Sequence, residues 1–296
     1  MLLLVDKSAH ADPRLEDFLK ASPNNCAVLP EFFGAESFAG DPLKNVTRSI
    51  AILSKYPQQV RLLRGQHDAI RLGDCNPNHR LELINWPLTR VFSEFCDDIA
   101  LANAGDAARL RHVSLLGNQA AKFLAEFSAW APEFRDYIVA VKNSAKPEFL
   151  TALRSDKPFP LEIGFGMYAT MLAFARFMGK AQHGKIPPIP ETPAEANNYF
   201  LFRLATASFL LIFSRIKDDS VEGLRPDRMR NDVMDAVYAT WATYFDDLLT
   251  NDSRMAYVYG EARFLIEHIF PDCTGEALAA FFREHGTADL FKSKKK

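Results

Sequence analysis

The sequence predicts an α/β fold whose parallel sheet is assembled from the N- and C-terminal segments, with a large all-helical insertion between them. Three observations predict it. Residues 1–66 alternate short apolar runs with amphipathic helices, and the same character returns in 226–291. Between them, 67–225 shows helical periodicity without a convincing strand. Residues 292–296 form a basic tail, Lys292-Ser-Lys-Lys-Lys296.

Taken in order, Leu2 to Val5 is a continuous apolar run, the pattern of a strand buried on both faces, and it ends at Asp6. Pro13 opens a helix with Asp12 as its N-cap and Leu15, Phe18 and Leu19 as its buried stripe. Pro23-Asn24-Asn25 turns the chain into a short apolar segment, Cys26 to Leu29. A helix starting at Pro30 carries Phe32, Phe33, Ala35 and Glu36 and stops at Gly40. Another carries Val46, Ile50, Leu53 and Tyr56, and Val60 to Leu63 reads as a second strand closed by Arg64-Gly65.

In the middle, helices are expected at about 86–101, 106–130, 133–143, 161–182 and 193–216, with a proline-stiffened linker at Ile186 to Pro193. Near the C-terminus, a helix from Asn231 to about Tyr244 has Val233, Val237, Trp241 and Tyr244 on its apolar side. Leu248-Leu249-Thr250 then gives a short strand. Asn251-Asp252 leads into a long helix with Met255, Val258, Ala262, Leu265 and Ile266 inward, and a last helix is expected at 275–285.

Composition narrows the function classes. A hydrophobic share of 48% fits a packed globular chain, and a net charge of −2 gives no global basic field for nucleic acid. Cys26, Cys75, Cys96 and Cys273 lack paired spacing, which argues against zinc and disulfides and suits a reducing compartment. The apolar start is too short for a signal-peptide core, and Tyr199 to Phe213, interrupted by Arg203, falls short of the ~20 residues a membrane span needs. A soluble, cytoplasmic protein is expected. There is no phosphate-binding Gly-rich loop and no nucleophile elbow. His67-Asp68 is better read as loop than as a dyad, and His79, His112, His183, His268 and His285 lack ligand spacing.

The carboxylates carry the functional signal. Asp6 follows the first strand and Asp252 follows a strand near the other terminus, and ligand sites in open α/β sheets form beyond the carboxyl ends of strands. Asp232 and Asp235, three apart, share one face of a helix whose small residues Ala239 and Ala242 let it lie close to the sheet. Glu36 sits among apolar Phe33 and Phe38. Each has a plain structural reading: a turn residue for Asp6, an N-cap for Asp252, helix-dipole partners for Asp232 and Asp235, a solvated face for Glu36. Sharing one crevice, however, they need a counter-charge, and Mg²⁺ or Mn²⁺ suits oxygen ligands. Asp246 and Asp247 read as solvent-exposed bystanders.

The segment from Asn231 through Asp232, Asp235, Thr250 and Asn251 to Asp252 resembles the closing half of a PIN-domain nuclease. Leu2 to Asp6 resembles that family's first strand and first acidic ligand, and Val28 to Glu36 the approach to its second. The resemblance covers about the first 66 and last 70 residues and omits the helical middle. It implies Asp6, Glu36, Asp235 and Asp252 as catalytic metal ligands, with Asp232 an additional or competing one. Ser8 (where the family often has Asn), Thr250 and Asn251 would support them. The implied activity is Mg²⁺- or Mn²⁺-dependent endoribonuclease cleavage of single-stranded RNA, by a toxin or defence effector. Lys44 and Arg48, four apart on one helix, are candidates for binding its phosphates. Two other readings stay open. One is a non-catalytic PIN-like scaffold whose helical insertion binds a protein or a nucleic acid. The other is a structure-specific DNA nuclease. The insertion could also serve as a lid, a homo-oligomer interface or the seat of an inhibitory partner protein. Its aromatics Phe123, Phe127, Trp130, Phe134 and Tyr137 recur at core-like helical spacing.

Overall fold

The computed structural model describes residues 1–72, 77–129, 131–144, 150–151, 161–181, 189, 193–218 and 225–272. The expected helix at 275–285, the basic tail, Cys75, Cys273, His183, His285, Trp130 and most of the proline linker lie outside them, as do the side chains of His79, Phe127 and Tyr137.

Four parallel strands form one sheet in the order β3-β2-β1-β4: β1 (Leu2–Val5), β2 (Cys26–Leu29), β3 (Val60–Leu62) and β4 (Asp247–Leu249). The apolar segment Cys26 to Leu29 is thus a central strand, and the chain's two ends meet where Leu3 pairs with Asp247 and Val5 with Leu249. The free edge of β3 is covered rather than bare. The Asn85 amide donates to Leu62 O at 2.7 Å, and Leu63 bridges Ile84.

Helices follow as α1 (Pro13–Ala21), α2 (Phe32–Ser37), α3 (Pro42–Ile50), α4 (Gln66–Leu72), α5 (Trp86–Arg90), α6 (Phe92–Asn103), α7 (Ala107–Ala129) and α8 (Ala131–Ser144). Then come α9 (Leu161–Ala181), α10 (Pro193–Ala196), α11 (Phe200–Lys217), α12 (Pro226–Ala242) and α13 (Ser253–Phe264). The helix expected at 86–101 is therefore two, broken at Val91, and His67-Asp68 lies in α4 rather than a loop. Asp12 caps α1 by accepting the Arg14 amide at 2.9 Å, as its position before Pro13 predicts.

Alternation along the strands separates two cores. Leu4 and Val28 face one layer, where α9, α11, α12 and α13 bury Tyr168, Phe202, Phe209 and Trp241. Leu3, Val5, Ala27, Leu29 and Val60 face the other, against α1, α3, α6 and residues Val113 and Ala120 of α7. Each fully buried Leu or Phe contributes about 1.5–3 kcal/mol, so both layers are substantial. The helical middle is thus not a body hung beside the sheet, because α6 and α7 help cover one face while α9 and α11 cover the other. Close approach of α7 to the start of α3 depends on Gly117, where a Cβ would lie 2.3 Å from Pro42. Gly40 adopts φ +82°, the left-handed conformation that ends the α2 segment before Asp41 caps α3. No described helix is long and apolar enough to cross a membrane.

Candidate functional site

The parallel sheet determines where the acids go. Asp6 follows the last residue of β1, and its amide donates to Leu249 O at 2.9 Å, so it stands at the carboxyl end of the β1–β4 pair. Asp252 lies three residues beyond β4, at the start of α13. Helix α12 packs directly on β1 and β4, with Ala239 and Ala242 fully buried as the small-residue reading required. From α12, Asp235 reaches toward Asp252, Asp6 and Glu36, and their charges all act on it.

Three of these carboxylates share one arrangement, in which one oxygen is tied down and the other makes no hydrogen bond among the described residues. Buried Asp6 accepts from the Ser8 amide at 3.2 Å, the Thr250 hydroxyl at 2.9 Å and the Ser8 hydroxyl, all on Oδ2. Asp252 accepts the Arg254 and Met255 amides at 2.8 and 2.9 Å, both on Oδ1. The N-cap reading of Asp252 is therefore correct, and it leaves Oδ2 open. Glu36 accepts from the Tyr238 hydroxyl at 2.5 Å on Oε2. Asn251 acts one step further out, since its amide donates to the Ser8 hydroxyl at 2.8 Å and its side chain to Ser8 O at 2.9 Å.

Asp235 differs from all three. It is half-buried and makes no hydrogen bond or ion pair among the described residues. Burial first, then the charges of Asp252, Asp6, Asp232 and Glu36, push its carboxyl up to about 8. Glu36 rises to about 6, chiefly through burial and against the opposing effect of its Tyr238 bond. Both are held nearer neutrality than a solvated acid.

Asp232 belongs elsewhere. It is 4% exposed, and Arg215 of α11 grips both of its oxygens, Nε to Oδ2 at 2.8 Å and Nη2 to Oδ1. That bidentate pair fastens α11 to α12, so the carboxylate that α12 leaves available is Asp235. Asp246 is not the exposed bystander expected. It accepts the Leu2 amide at 2.7 Å and Arg80 at 2.6 Å, and so pins the start of β1 to β4. Lys44 and Arg48 are exposed on α3, and no contact among the described residues links them to the carboxylates. The cations whose charge acts on Glu36 are instead Lys7 and Arg230. Lys7, Arg230 and Tyr238 were missed by the sequence reading. Tyr238 alone had a signal there, a tyrosine one helical turn after Asp235.

As the side chains stand, no three carboxylate, imidazole or thiol groups among the described residues converge to ligate one ion together. Mg²⁺ needs only one or two protein carboxylates beside its waters and substrate phosphate. The carboxylates of Asp6, Asp252 and Glu36, each with one oxygen unbonded among the described residues, and that of Asp235, whose charge they act on, fit that donor chemistry.

No family model, no curated protein and no solved structure matches the chain.

Proposed function

We propose that this chain is a PIN-like, metal-dependent endoribonuclease that hydrolyses single-stranded RNA, with Asp6, Glu36, Asp235 and Asp252 holding Mg²⁺ or Mn²⁺. The observation that carries the reading is Asp235, a half-buried carboxyl with no hydrogen-bond or ion-pair partner among the described residues, pushed up to about 8 by burial and by four neighbouring acids. Such mutual repulsion would be relieved by a cation taking the place of the proton. The position of two of those acids supports the same reading, since both follow neighbouring parallel strands that join the chain's two ends.

When bound, such a cation activates water and offsets charge on the phosphate in the transition state. The chain's own groups do the rest. Ser8 and Thr250 hold Asp6 by one oxygen, and the backbone at the start of α13 does the same for Asp252. Glu36, half-buried and raised only to about 6, would be ionised for ligation at neutral pH. Lys7 is exposed next to Asp6 with no ion-pair partner among the described residues, and it can draw phosphate oxygens toward the acids.

The test is cleavage of labelled single-stranded RNA and DNA with Mn²⁺, with EDTA, and by Asp6→Asn. Metal-dependent cutting of RNA, lost in the variant, is the expected result. Cutting of DNA alone would replace the substrate class, and no cutting of either would favour a non-catalytic scaffold.

A further inference from the structure

We propose that Tyr238 is a positioning residue for the metal site, holding Glu36 by Oε2 so that Oε1 would be the oxygen left to ligate a cation; this rests on the nuclease reading above. Helix α2, which carries Glu36, is six residues long, and its buried side chains Phe32, Phe33 and Ser37 anchor it. Among the described residues, no group of that short helix hydrogen-bonds the Glu36 carboxylate. Tyr238 does so from outside, by the 2.5 Å bond from its hydroxyl to Oε2 across 202 residues of sequence.

Tyr238 is suited to this role by its own immobility. It is 1% exposed and lies beside Phe32, ring centroids 6.3 Å apart, so its hydroxyl has a single fixed direction. It also follows Asp235 by three residues on α12, which places both on one helical face. One turn of α12 therefore carries a carboxylate and the group that orients a second one. The separation of Asp235 from Glu36 is set by the helix rather than by the flexible glutamate side chain.

The same device serves the other acids. Ser8 and Thr250 occupy one oxygen of Asp6, and two backbone amides occupy one oxygen of Asp252, with no hydrogen bond to the second in either among the described residues. Tyr238 completes the pattern for Glu36. Outer groups that hold ligating carboxylates typically change metal affinity by about 10- to 100-fold when removed.

The experiment is calorimetric titration of the full chain with Mn²⁺, for wild type, Tyr238→Phe, Glu36→Asp and the double variant, with RNA cleavage measured across Mn²⁺ concentrations. Tyr238→Phe keeps the buried ring and should weaken Mn²⁺ by about tenfold. Its cleavage should need more Mn²⁺ but recover most of its rate at saturation. Glu36→Asp is too short to reach the hydroxyl, so adding Tyr238→Phe to it should cost nothing further. Wild-type affinity in Tyr238→Phe, or full additivity in the double variant, would overturn the role. Should Tyr238→Phe fail to fold, Glu36→Asp alone must still weaken Mn²⁺, and unchanged affinity there would overturn it. A wild-type chain that binds no Mn²⁺ would instead remove the metal reading itself.

Discussion

Asp232 and Asp235 lie three residues apart on α12, yet Arg215 clasps the first through both oxygens while the second has no partner among the described residues. Opposite effects of neutralising them follow. Asp232→Asn removes the charge from one side of a buried, two-point ion pair, and breaking such a pair costs about 3–5 kcal/mol. Asp235→Asn removes a carboxyl that the fold keeps protonated up to about pH 8, and should leave the EDTA-treated protein as stable or more so. Urea denaturation of both variants checks this. Equal destabilisation would mean that Asp235 is a structural acid like its neighbour.

The pH dependence of stability should carry the same signature. Asp235 titrates at 3.8 in the unfolded chain and about 8 in the folded one, and Glu36 at 4.5 and about 6. Across those windows the folded protein keeps protons that the unfolded chain has lost, so their contribution is full at low pH and disappears as pH rises. With EDTA, Tm should fall by several degrees between pH 6 and 8.5, and Asp235→Asn should flatten that fall. Mn²⁺ must displace the same protons, so the Tm gain it produces should grow with pH. A Mn²⁺ effect independent of pH would argue against binding at Asp235.

These particulars show what the sequence made legible. Leu2 to Val5 announced a buried strand because both faces of a parallel sheet demand apolar residues, and Asp6 and Asp252 were readable from their places after strands. Cys26 to Leu29 was not identifiable as a strand, since a four-residue apolar run has no periodicity to separate strand from helix. The Arg215–Asp232 pair joins two helices, and the Tyr238–Glu36 bond joins opposite ends of the chain. No local pattern encodes either, so Asp232 and Asp235 could not be told apart. Asp246 looked exposed for the same reason, because its partners Leu2 and Arg80 are brought to it only by strand pairing and the 77–83 turn.

Asp252→Asn and Asp246→Asn separate stability from chemistry. Asparagine caps a helix as well as aspartate does, so Asp252→Asn should keep α13 capped and the Tm within a degree or two while abolishing cleavage. Asp246→Asn disturbs the acceptor of both Leu2 N and Arg80 at the sheet's other end, and should cost about 1–3 kcal/mol. Its cleavage rate per folded molecule should be unchanged. Paired denaturation and cleavage measurements decide it, and the reverse pattern would move the active site to the wrong end of the sheet.

Cation placement supplies the last prediction. Lys7 follows Asp6 directly, is exposed and unpaired among the described residues, and its charge acts on Glu36, whereas Lys44 and Arg48 project from α3 without contact to the acids. If Lys7 meets a phosphate of the bound strand, Lys7→Ala should raise KM for single-stranded RNA several-fold. It should also lower the slope of log affinity against log salt by about 0.7, the value for one contact to a single strand. Lys44→Ala and Arg48→Ala should change neither by more than about a third of that slope. Binding curves at several salt concentrations, with Asp6→Asn as background to prevent cleavage, measure this directly. A larger slope change for Arg48→Ala than for Lys7→Ala would mean that the strand crosses α3, restoring the helix-face assignment drawn from spacing alone.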